Sequence, residues 1–161
     1  MSPRAPTPLR RGLRRVLTTP RLARSPLRLY ELGLGGLLGR AVLRLEHRGR
    51  VSGQPRYVVL EVVDRPRPGV VRVVSGLGPR AQWFRNITAE PRVRVTNGWG
   101  RPVRATARVL DADEAERAFA RYRAVHPWRW AALQDTLGDH LDKDRPPHES
   151  LPVVDLELHR P

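Results

Sequence analysis

Three arginines, one serine and two glycines lie within the nine residues Arg48–Arg56, between two stretches that resemble β-strands. Glycine lets the backbone turn tightly and expose its N–H groups, and arginine presents a planar set of donors that suits phosphate and carboxylate oxygens. This combination predicts an anion-binding turn at the mouth of a β-structure. Because arginine is so common in this chain, a plain hairpin turn with solvated arginines also explains the segment when it is taken alone.

A second segment, Ser75–Asn86, follows one hairpin later and also begins with glycines. Pro79 suits the first turn of a helix, and backbone N–H groups between a strand end and a helix start can bind an anion or the polar edge of a ring. The Gly-x-Gly sequence is too short for a dinucleotide-binding fingerprint, and no βαβ pattern surrounds it. A glycine-rich turn that only packs Trp83 and Phe84 into the core is the structural alternative.

Other kinds of chemistry have little support. The histidines are scattered without the spacing of metal ligands, so no metal site is expected. Neither Ser52 nor Ser75 has the surroundings of a hydrolase nucleophile. Tyr122, Trp128 and Trp130 lie around a predicted helix break, where they either pack in the core or form one wall of an apolar substrate pocket.

Charge is the main feature of the composition. The 161 residues carry a formal net charge of +14, and Lys143 is the only lysine among 30 basic residues. Such a charge attracts nucleic acid, acidic membrane surfaces and multiply charged small molecules alike. The chain has no cysteine, which excludes disulfides and thiolate metal sites.

The hydrophobic pattern predicts a mainly β or α+β fold with about six mostly antiparallel strands and flanking helices, as in a small barrel. The predicted strands are Val42–Arg48, Arg56–Val63, Val70–Ser75, a pair from Val93 to Val109 around Asn97-Gly98, and Leu151–Leu158. The predicted helices are Arg80–Ala89, Asp111–Val125 and Trp128–Leu137, and Leu141–Ser150 is predicted as a loop.

The N-terminal part differs in composition from the rest. Residues 1–26 are predicted as a basic flexible segment, and residues 27–161 as a single domain. A leucine-rich helix predicted at Leu27–Leu38 either covers the barrel or anchors the protein to anionic lipid through residues 1–38. Charged residues interrupt this stretch too often for a transmembrane helix. A cytoplasmic protein, in possible peripheral contact with the inner face of the cell membrane, is expected.

Together these motifs resemble the deazaflavin-dependent nitroreductases, a family of split β-barrel oxidoreductases. The resemblance extends from about Leu29 to Leu158 and rests on the order and spacing of its motifs. They are Leu29-Tyr30 with Gly33, Leu34, Gly35, Leu38 and Gly39; Arg48–Gly53 with Arg56; Ser75–Gly78; Trp83–Ile87; Ala89–Pro91; Ala105–Val109 with Asp111; and Leu151–Val154.

The resemblance implies a fold like the FMN-binding split barrels and the cofactor F420, an 8-hydroxy-5-deazaflavin with a phosphate and an oligoglutamate tail. It implies that the phosphate and carboxylates are bound by Arg50, Ser52, Gly53 and Arg56, and that Arg80 adds a contact to the tail. The ring would lie along the strand around Tyr57, Val58 and Val59, and its edge would be approached by the backbone of Ser75, Gly76, Leu77 and Gly78. Trp83 and Asn86 would brace the site. The chain departs from the family at Val51, where relatives often have a small or basic residue, and at Phe84, where they often have tyrosine.

The implied reaction is hydride transfer from reduced F420 to a quinone, a nitroaromatic or a conjugated carbonyl. Tyr122, Tyr57 or water are the candidate proton donors, and Tyr122, Trp128 and Trp130 would line the acceptor pocket. One alternative is a split-barrel protein that binds FMN, haem or a lipid. A basic nucleic-acid-binding module is less favoured, because it predicts aromatic side chains among the arginines of a strand face, and these strands carry valine there. No nucleic-acid partner is therefore expected, and the oligomeric state is left open.

Overall fold

The computed structural model describes residues 40–98, 100–137 and 146–159. Its elements, in chain order, are β1 (Val42–Arg48), β2 (Pro55–Asp64), β3 (Val70–Val74), a 3₁₀ turn (Gly78–Arg80), α1 (Gln82–Ala89), β4 (Arg92–Asn97), β5 (Val103–Val109), α2 (Ala112–Val125), α3 (Pro127–Leu137), α4 (Pro147–Ser150) and β6 (Val153–Leu158). The flexible segment predicted at 1–26 and the helix predicted at 27–38 lie outside the described residues.

The six strands form a closed barrel in the order β1-β2-β3-β6-β5-β4, and every neighbouring pair is antiparallel. The predicted antiparallel barrel with flanking helices is therefore confirmed. Strand alternation sends one set of side chains inward, and Leu43, Leu45, Val73, Val154 and Leu156 are completely buried there.

Helix α1 covers one end of the barrel. Trp83 and Ile87 on this helix, and Ala81 just before it, pack into the same hydrophobic cluster as the inward residues of the strands. Trp83 and Phe84 meet edge to face, with their ring centroids 6.0 Å apart. Burial of these apolar side chains fixes α1 against the strands, and with it the polar residues that α1 carries.

A second, smaller cluster joins α2 to the outer side of the barrel, where Phe119 packs with Leu151 and Val153. Helix α2 begins with a capping box, in which the Asp111 side chain accepts a hydrogen bond from the Glu114 N–H at 2.8 Å and Glu114 accepts one from the Asp111 N–H at 3.3 Å. The box satisfies backbone donors that have no partner within the helix. It therefore sets where α2 begins and how its aromatic residues are placed.

Two predicted elements differ from the structure. The helix predicted at Arg80–Ala89 is divided, because Gly78–Arg80 forms a 3₁₀ turn and Ala81 is extended, so Arg80 lies outside the α-helix. The loop predicted at Leu141–Ser150 contains the short helix α4, which begins with Pro147 in its first turn. Proline suits that position because it lacks an N–H that would need a partner.

Candidate functional site

The turn between β1 and β2 is closed by its own backbone. Gly49 donates to the Gln54 carbonyl at 2.9 Å, and Gly53 donates to the Gly49 carbonyl at 2.7 Å. Gly53 has a φ of 67°, a left-handed conformation that costs residues with a side chain about 1–2 kcal/mol. The Ser52 hydroxyl accepts a hydrogen bond from the Gln54 N–H at 3.3 Å. The turn is thus a defined structure that can hold its arginines in place.

Arg50, in the turn between β1 and β2, is hydrogen-bonded to helix α1. Its Nη1 donates to Asn86 Oδ1 at 2.9 Å and to Gln82 Oε1 at 2.9 Å, and its backbone N–H donates to Asn86 Oδ1 at 3.1 Å. A guanidinium has five N–H donors, so donors remain available for an anion. The arginine of the first motif and the asparagine of the second are therefore parts of one hydrogen-bonded unit.

His47 extends this unit into the barrel wall. Since Asn86 Oδ1 accepts both hydrogen bonds from Arg50, its Nδ2 faces His47 Nδ1, at 3.2 Å, and must be the donor. Nδ1 of His47 is therefore unprotonated. Burial lowers the pKa of His47 below its ordinary value, helped by the charge of Arg56 and opposed by a hydrogen bond with the Arg48 backbone. The neutral imidazole thus fixes the orientation of the Asn86 amide.

Arg56 lies at the start of β2, directly after the β1–β2 turn. A Cβ added to Gly49 would come within 2.7 Å of Ser52 Oγ and 3.7 Å of Arg56 Cγ. The stem of Arg56 and the Ser52 hydroxyl therefore approach the Gly49 backbone, and glycine at this position makes room for both. The Arg56 side chain is exposed. Arg50, Ser52, Gly53 and Arg56 are thus brought together at one turn.

Val58 and Val59, which were both predicted to follow the ring, lie on opposite faces of strand β2. Val58 packs against the barrel core, so alternation places Val59, with Tyr57 and Glu61, on the outer face. Tyr57 is exposed and lies under the guanidinium of Arg44, 5.2 Å from its ring centroid.

One edge of β2 is open along its first half. Within the described chain, β2 pairs with β3 only at Val62↔Val73 and Asp64↔Arg72, with an irregularity between these pairs. Because β3 runs antiparallel to β2, the residues after Val74 lie toward the N-terminal half of β2. The backbone of Pro55–Glu61 therefore has β1 as its only ladder partner among the described strands.

The turn Ser75–Gly78 lies beside this open edge. Ser75 is completely buried, its N–H donates to the Pro152 carbonyl at 2.9 Å, and its hydroxyl donates to the Gly78 carbonyl at 2.7 Å. Gly78 donates to the Ser75 carbonyl at 2.9 Å. Within the described residues, Gly76 and Leu77 make no such backbone hydrogen bond, and Leu77 is 75% exposed. The donors that remain for a ligand at this turn are therefore those of Gly76 and Leu77.

Arg80 and Trp83 have different surroundings. Arg80 is exposed at the end of the 3₁₀ turn, whereas Trp83 is 9% exposed and belongs to the barrel core. Trp83 therefore fixes α1 from the inside, while Asn86 on the same helix is turned toward the β1–β2 turn.

The aromatic group at the α2–α3 junction is separate from the turn. Tyr122 is buried, which raises its pKa, and it borders a cavity of only about 20 Å³. Trp130 packs on Phe119 with centroids 5.7 Å apart, and Trp128 is 59% exposed. Arg129 lies 5.8 Å from the Tyr122 ring centroid and forms an ion pair with Glu61, which connects this junction to the outer face of β2.

His47 and Gln82 are the site residues that sequence reasoning missed. A lone histidine in a strand and an exposed glutamine at a helix start carry no pattern of their own. Their period in the strand and helix is the only available signal, since it places His47 on the inward face and Gln82 one turn before Asn86.

A barrel of this topology, with an arginine- and glycine-rich turn beside an open strand edge, is the architecture of the split-barrel oxidoreductases. The family model described as F420H(2)-dependent quinone reductase matches residues 25–138. The chain belongs to this family and is an oxidoreductase, so the resemblance to F420-dependent split-barrel reductases is confirmed. The description of the matching family names a quinone reductase and not a nitroreductase.

Known proteins agree with this assignment. A protein of Mycobacterium tuberculosis (strain ATCC 25618 / H37Rv), by name an F420H(2)-dependent quinone reductase, is 36% identical over 93 residues, which are 56% of this chain and 76% of that protein. The structure described as F420-H2 dependent reductase (FDR-A) is 28% identical with a TM-score of 0.52, covering 74% of this chain and 96% of that one. A structure described as a domain-swapped dimer is 28% identical with a TM-score of 0.54, covering 83% and 95%.

Membrane contact through residues 1–38 lies outside the described part of the chain. In the ranges that the structure describes, none of the helices is both long enough and apolar enough to cross a bilayer.

Proposed function

We propose that this protein binds coenzyme F420 with its phosphate and first carboxylates at the Arg48–Arg56 turn and reduces a quinone. The observation that carries the proposal is the hydrogen-bonded unit of Arg50, Asn86 and Gln82. It holds one guanidinium in place before any ligand arrives, which reduces the entropy lost on binding. The other donors of Arg50, with exposed Arg56 and the Ser52 hydroxyl, suit an anionic group.

The open edge of β2 supports a position for the ring. The outer face of β2 carries the exposed Tyr57 and the half-buried Val59, next to the edge of β2 that has no strand partner in the described structure. The N–H groups of Gly76 and Leu77, which make no backbone hydrogen bond in the described structure, belong to the turn that follows β3 beside this edge. A ring with polar edges and an apolar face fits between them, and both edges would meet backbone donors or acceptors. The residues present therefore suit a deazaflavin.

When bound, reduced F420 supplies a hydride from its C5 carbon to an acceptor held close to it. The chain must then orient the acceptor and deliver a proton to it. Tyr57 lies on the outer face of β2, whereas the hydroxyl of Tyr122 belongs to a buried side chain on α2. We therefore propose Tyr57, or water beside it, as the proton donor and the exposed Trp128 as part of the acceptor's surroundings.

Two measurements test this function. Titration of the protein with F420 and with FMN, followed by cofactor fluorescence, should give binding in the micromolar range for F420 alone. When the protein is mixed with reduced F420 and a soluble quinone such as menadione, the reduced F420 should be oxidised at a rate that depends on the concentration of the protein. Tight binding of FMN with no response to F420 would favour the alternative split-barrel function instead.

A further inference from the structure

Arg129 on α3 and Glu61 on β2 form an ion pair that joins the α2–α3 junction to the barrel. Nη2 of Arg129 donates the hydrogen bond, and Oε1 of Glu61 accepts it. The same guanidinium lies 5.8 Å from the ring centroid of Tyr122 and 6.0 Å from that of Trp128, within the range of cation–π contacts. Only 23% of the Arg129 side chain is exposed. The guanidinium of Arg129 therefore has a defined position beside β2.

The start of α3 sets the direction of Arg129. The His126 carbonyl accepts hydrogen bonds from the N–H groups of Arg129 and Trp130, both at 3.0 Å. The His126 ring meets the Tyr122 ring edge to face, with centroids 5.4 Å apart, and Trp130 packs on Phe119 of α2. The first turn of α3 is thus fixed on α2, and Arg129 extends from this turn to β2.

Three side chains form a row on the outer face of β2. Tyr57, Val59 and Glu61 share this face because side chains alternate along a strand. At about 3.3 Å per residue, the Cα atoms of Tyr57 and Glu61 are about 13 Å apart, with Val59 halfway between them. Tyr57 is exposed and Val59 is half-buried. The row therefore has a polar group at each end and an apolar side chain in the middle.

Each end of this row also carries a guanidinium. Arg44 of β1 lies over the Tyr57 ring, with its Cζ 5.2 Å from the centroid, and Arg129 contacts Glu61 at the other end. Arg44 stands opposite Val59 in the register of β1 and β2. A para-quinone has a matching arrangement, because its two carbonyl oxygens lie at opposite ends of an apolar ring. The row therefore suits an acceptor with two polar ends better than one with a single polar group.

We infer that Arg129 binds one carbonyl oxygen of the quinone, at the end of the row opposite Tyr57. The inference rests on the proposed function, since it places the acceptor over the outer face of β2. A quinone that takes up a hydride becomes a hydroquinone anion, and the guanidinium stabilises the negative charge that develops during this transfer. One proton, from Tyr57 or from water, then neutralises the anion and completes the hydroquinone.

The chemistry of a guanidinium suits this role. A guanidinium has five N–H donors and stays charged in proteins, so it binds an oxygen without giving up a proton. Glu61 uses one of the donors of Arg129, which leaves others for the quinone. Glu61 also holds the group in place before the quinone arrives, which reduces the entropy lost on binding.

A purely structural ion pair is the competing explanation. In that case Arg129 and Glu61 would only fasten α3 to the barrel, and loss of either partner would have the same effect. If Arg129 binds the quinone, loss of the guanidinium is costly, whereas a neutral oxygen in place of the Glu61 carboxylate is tolerated. Variants of the two residues therefore separate the explanations.

The test measures kcat/KM for menadione at saturating reduced F420, together with the Kd for F420. Arg129→Ala should lower kcat/KM about tenfold or more, as expected for a lost hydrogen bond to a charged group, and should leave the Kd for F420 within about twofold. Glu61→Gln keeps an oxygen that accepts from Arg129, so it should lower kcat/KM less than about threefold. Arg129→Lys keeps the charge without the planar fork and should fall between Arg129→Ala and wild type.

Arg123→Ala is the matched control. Arg123 forms an ion pair with Glu116 at 2.9 Å and lies 5.3 Å from the ring centroid of Trp130, so it has the same kinds of contact at the same junction. Its partner lies on α2 and not on β2, so kcat/KM and the Kd for F420 should both stay within about twofold of wild type.

Equal losses of kcat/KM in Arg129→Ala and Glu61→Gln would overturn the inference, because they would show a structural ion pair. An unchanged kcat/KM in Arg129→Ala would do the same, as would an equal loss in Arg123→Ala or a rise in the Kd for F420 that matches the loss of kcat/KM. If circular dichroism shows that Arg129→Ala does not fold, a larger loss in Glu61→Gln than in Arg129→Lys overturns the inference. These outcomes leave the proposed function in place, which fails if the wild-type protein neither binds F420 nor oxidises reduced F420 with menadione.

Discussion

The Arg50 guanidinium donates to the Asn86 Oδ1 at 2.9 Å, and the same oxygen accepts the Arg50 backbone N–H at 3.1 Å. One buried amide on α1 therefore fixes both the backbone and the side chain of an arginine 36 residues earlier. The contact joins the turn after β1 to the helix after β3. This arrangement makes the affinity for an anion depend on a residue that need not touch it.

Asn86→Ala is expected to weaken F420 binding about three- to tenfold, because Arg50 would have to be ordered upon binding at a cost of about 0.5–1.5 kcal/mol. Fluorescence titration measures this change. Gln82→Ala removes one exposed contact and should have a smaller effect, and Thr88→Ala on the same helix serves as the control. An Asn86→Ala protein that is folded, by its circular dichroism, and binds F420 as tightly as wild type would contradict this role.

His47 is expected to make stability depend on pH. Its pKa is lowered in the folded state, so the folded protein binds fewer protons than the unfolded chain below the ordinary pKa of 6.5. The stabilisation is complete above that pH and is lost as the pH falls toward the lowered pKa of the folded protein. Protonation would place an N–H against Asn86 Nδ2 and release Arg50, so F420 affinity should fall over the same range.

Thermal unfolding between about pH 7.5 and pH 5 tests this dependence. His47→Gln keeps an acceptor for Asn86 without a charge and should flatten the part of the pH profile that His47 causes. His47 also lines a cleft of about 770 Å³ over β1, β4 and β5. The charged or titratable groups around it are Arg50, Arg56 and the other groups of this cleft, Glu46, Arg48, Glu90, Arg92, Arg94, Arg104 and His159. Identical pH profiles for wild type and His47→Gln would show that His47 is not the titrating group.

Substitution by alanine should lower the stability of the protein to different extents at Gly53 and at Gly78. Gly53 and Gly78 have φ values of 67° and 69°, and each substitution should cost about 1–2 kcal/mol of backbone strain. At Gly53 the new Cβ would meet nothing within 4 Å, whereas at Gly78 it would lie 3.0 Å from the Ser150 carbonyl oxygen. Denaturant unfolding should therefore show a larger loss of stability for Gly78→Ala. A larger loss for Gly53→Ala would contradict the close approach of Gly78 to the Ser150 carbonyl of α4.

Tyr57→Phe should reduce quinone turnover more than Tyr122→Phe does. Tyr57 is 44% exposed on the outer face of β2, and Tyr122 is buried with a raised pKa. Loss of a general acid typically costs about 10²-fold or more in rate, and a smaller loss would indicate that water replaces the hydroxyl. Steady-state kinetics of both variants at saturating reduced F420 separates them. Greater loss in Tyr122→Phe would move the acceptor site to the α2–α3 junction.

The barrel was largely predictable from the sequence because its strands have strong alternation. Val42–Arg48 was predicted with the bounds that the structure has, and Val103–Val109 alternates as expected for a strand with one buried face. The division of the helix at Ala81 was harder to predict, since Pro79 and the left-handed Gly78 together permit either a continuous helix or a 3₁₀ turn. Local sequence does not decide between them.

The site was predictable only in part, because its motifs are local but its contacts are not. The turn Arg48–Arg56 could be recognised from its composition, whereas the contact of Arg50 with Asn86 depends on how α1 packs against the barrel end.

Binding of F420 by the wild-type protein and by Arg50→Ala and Arg56→Ala is the most direct test of the proposed site. Each variant should bind F420 more weakly by about 1–3 kcal/mol, the usual worth of a hydrogen bond to a charged group, while Arg117→Ala on α2 should bind as wild type does. FMN should not compete. If both variants keep the wild-type affinity, or if FMN binds tightly where F420 does not, the Arg48–Arg56 turn is not the F420 site.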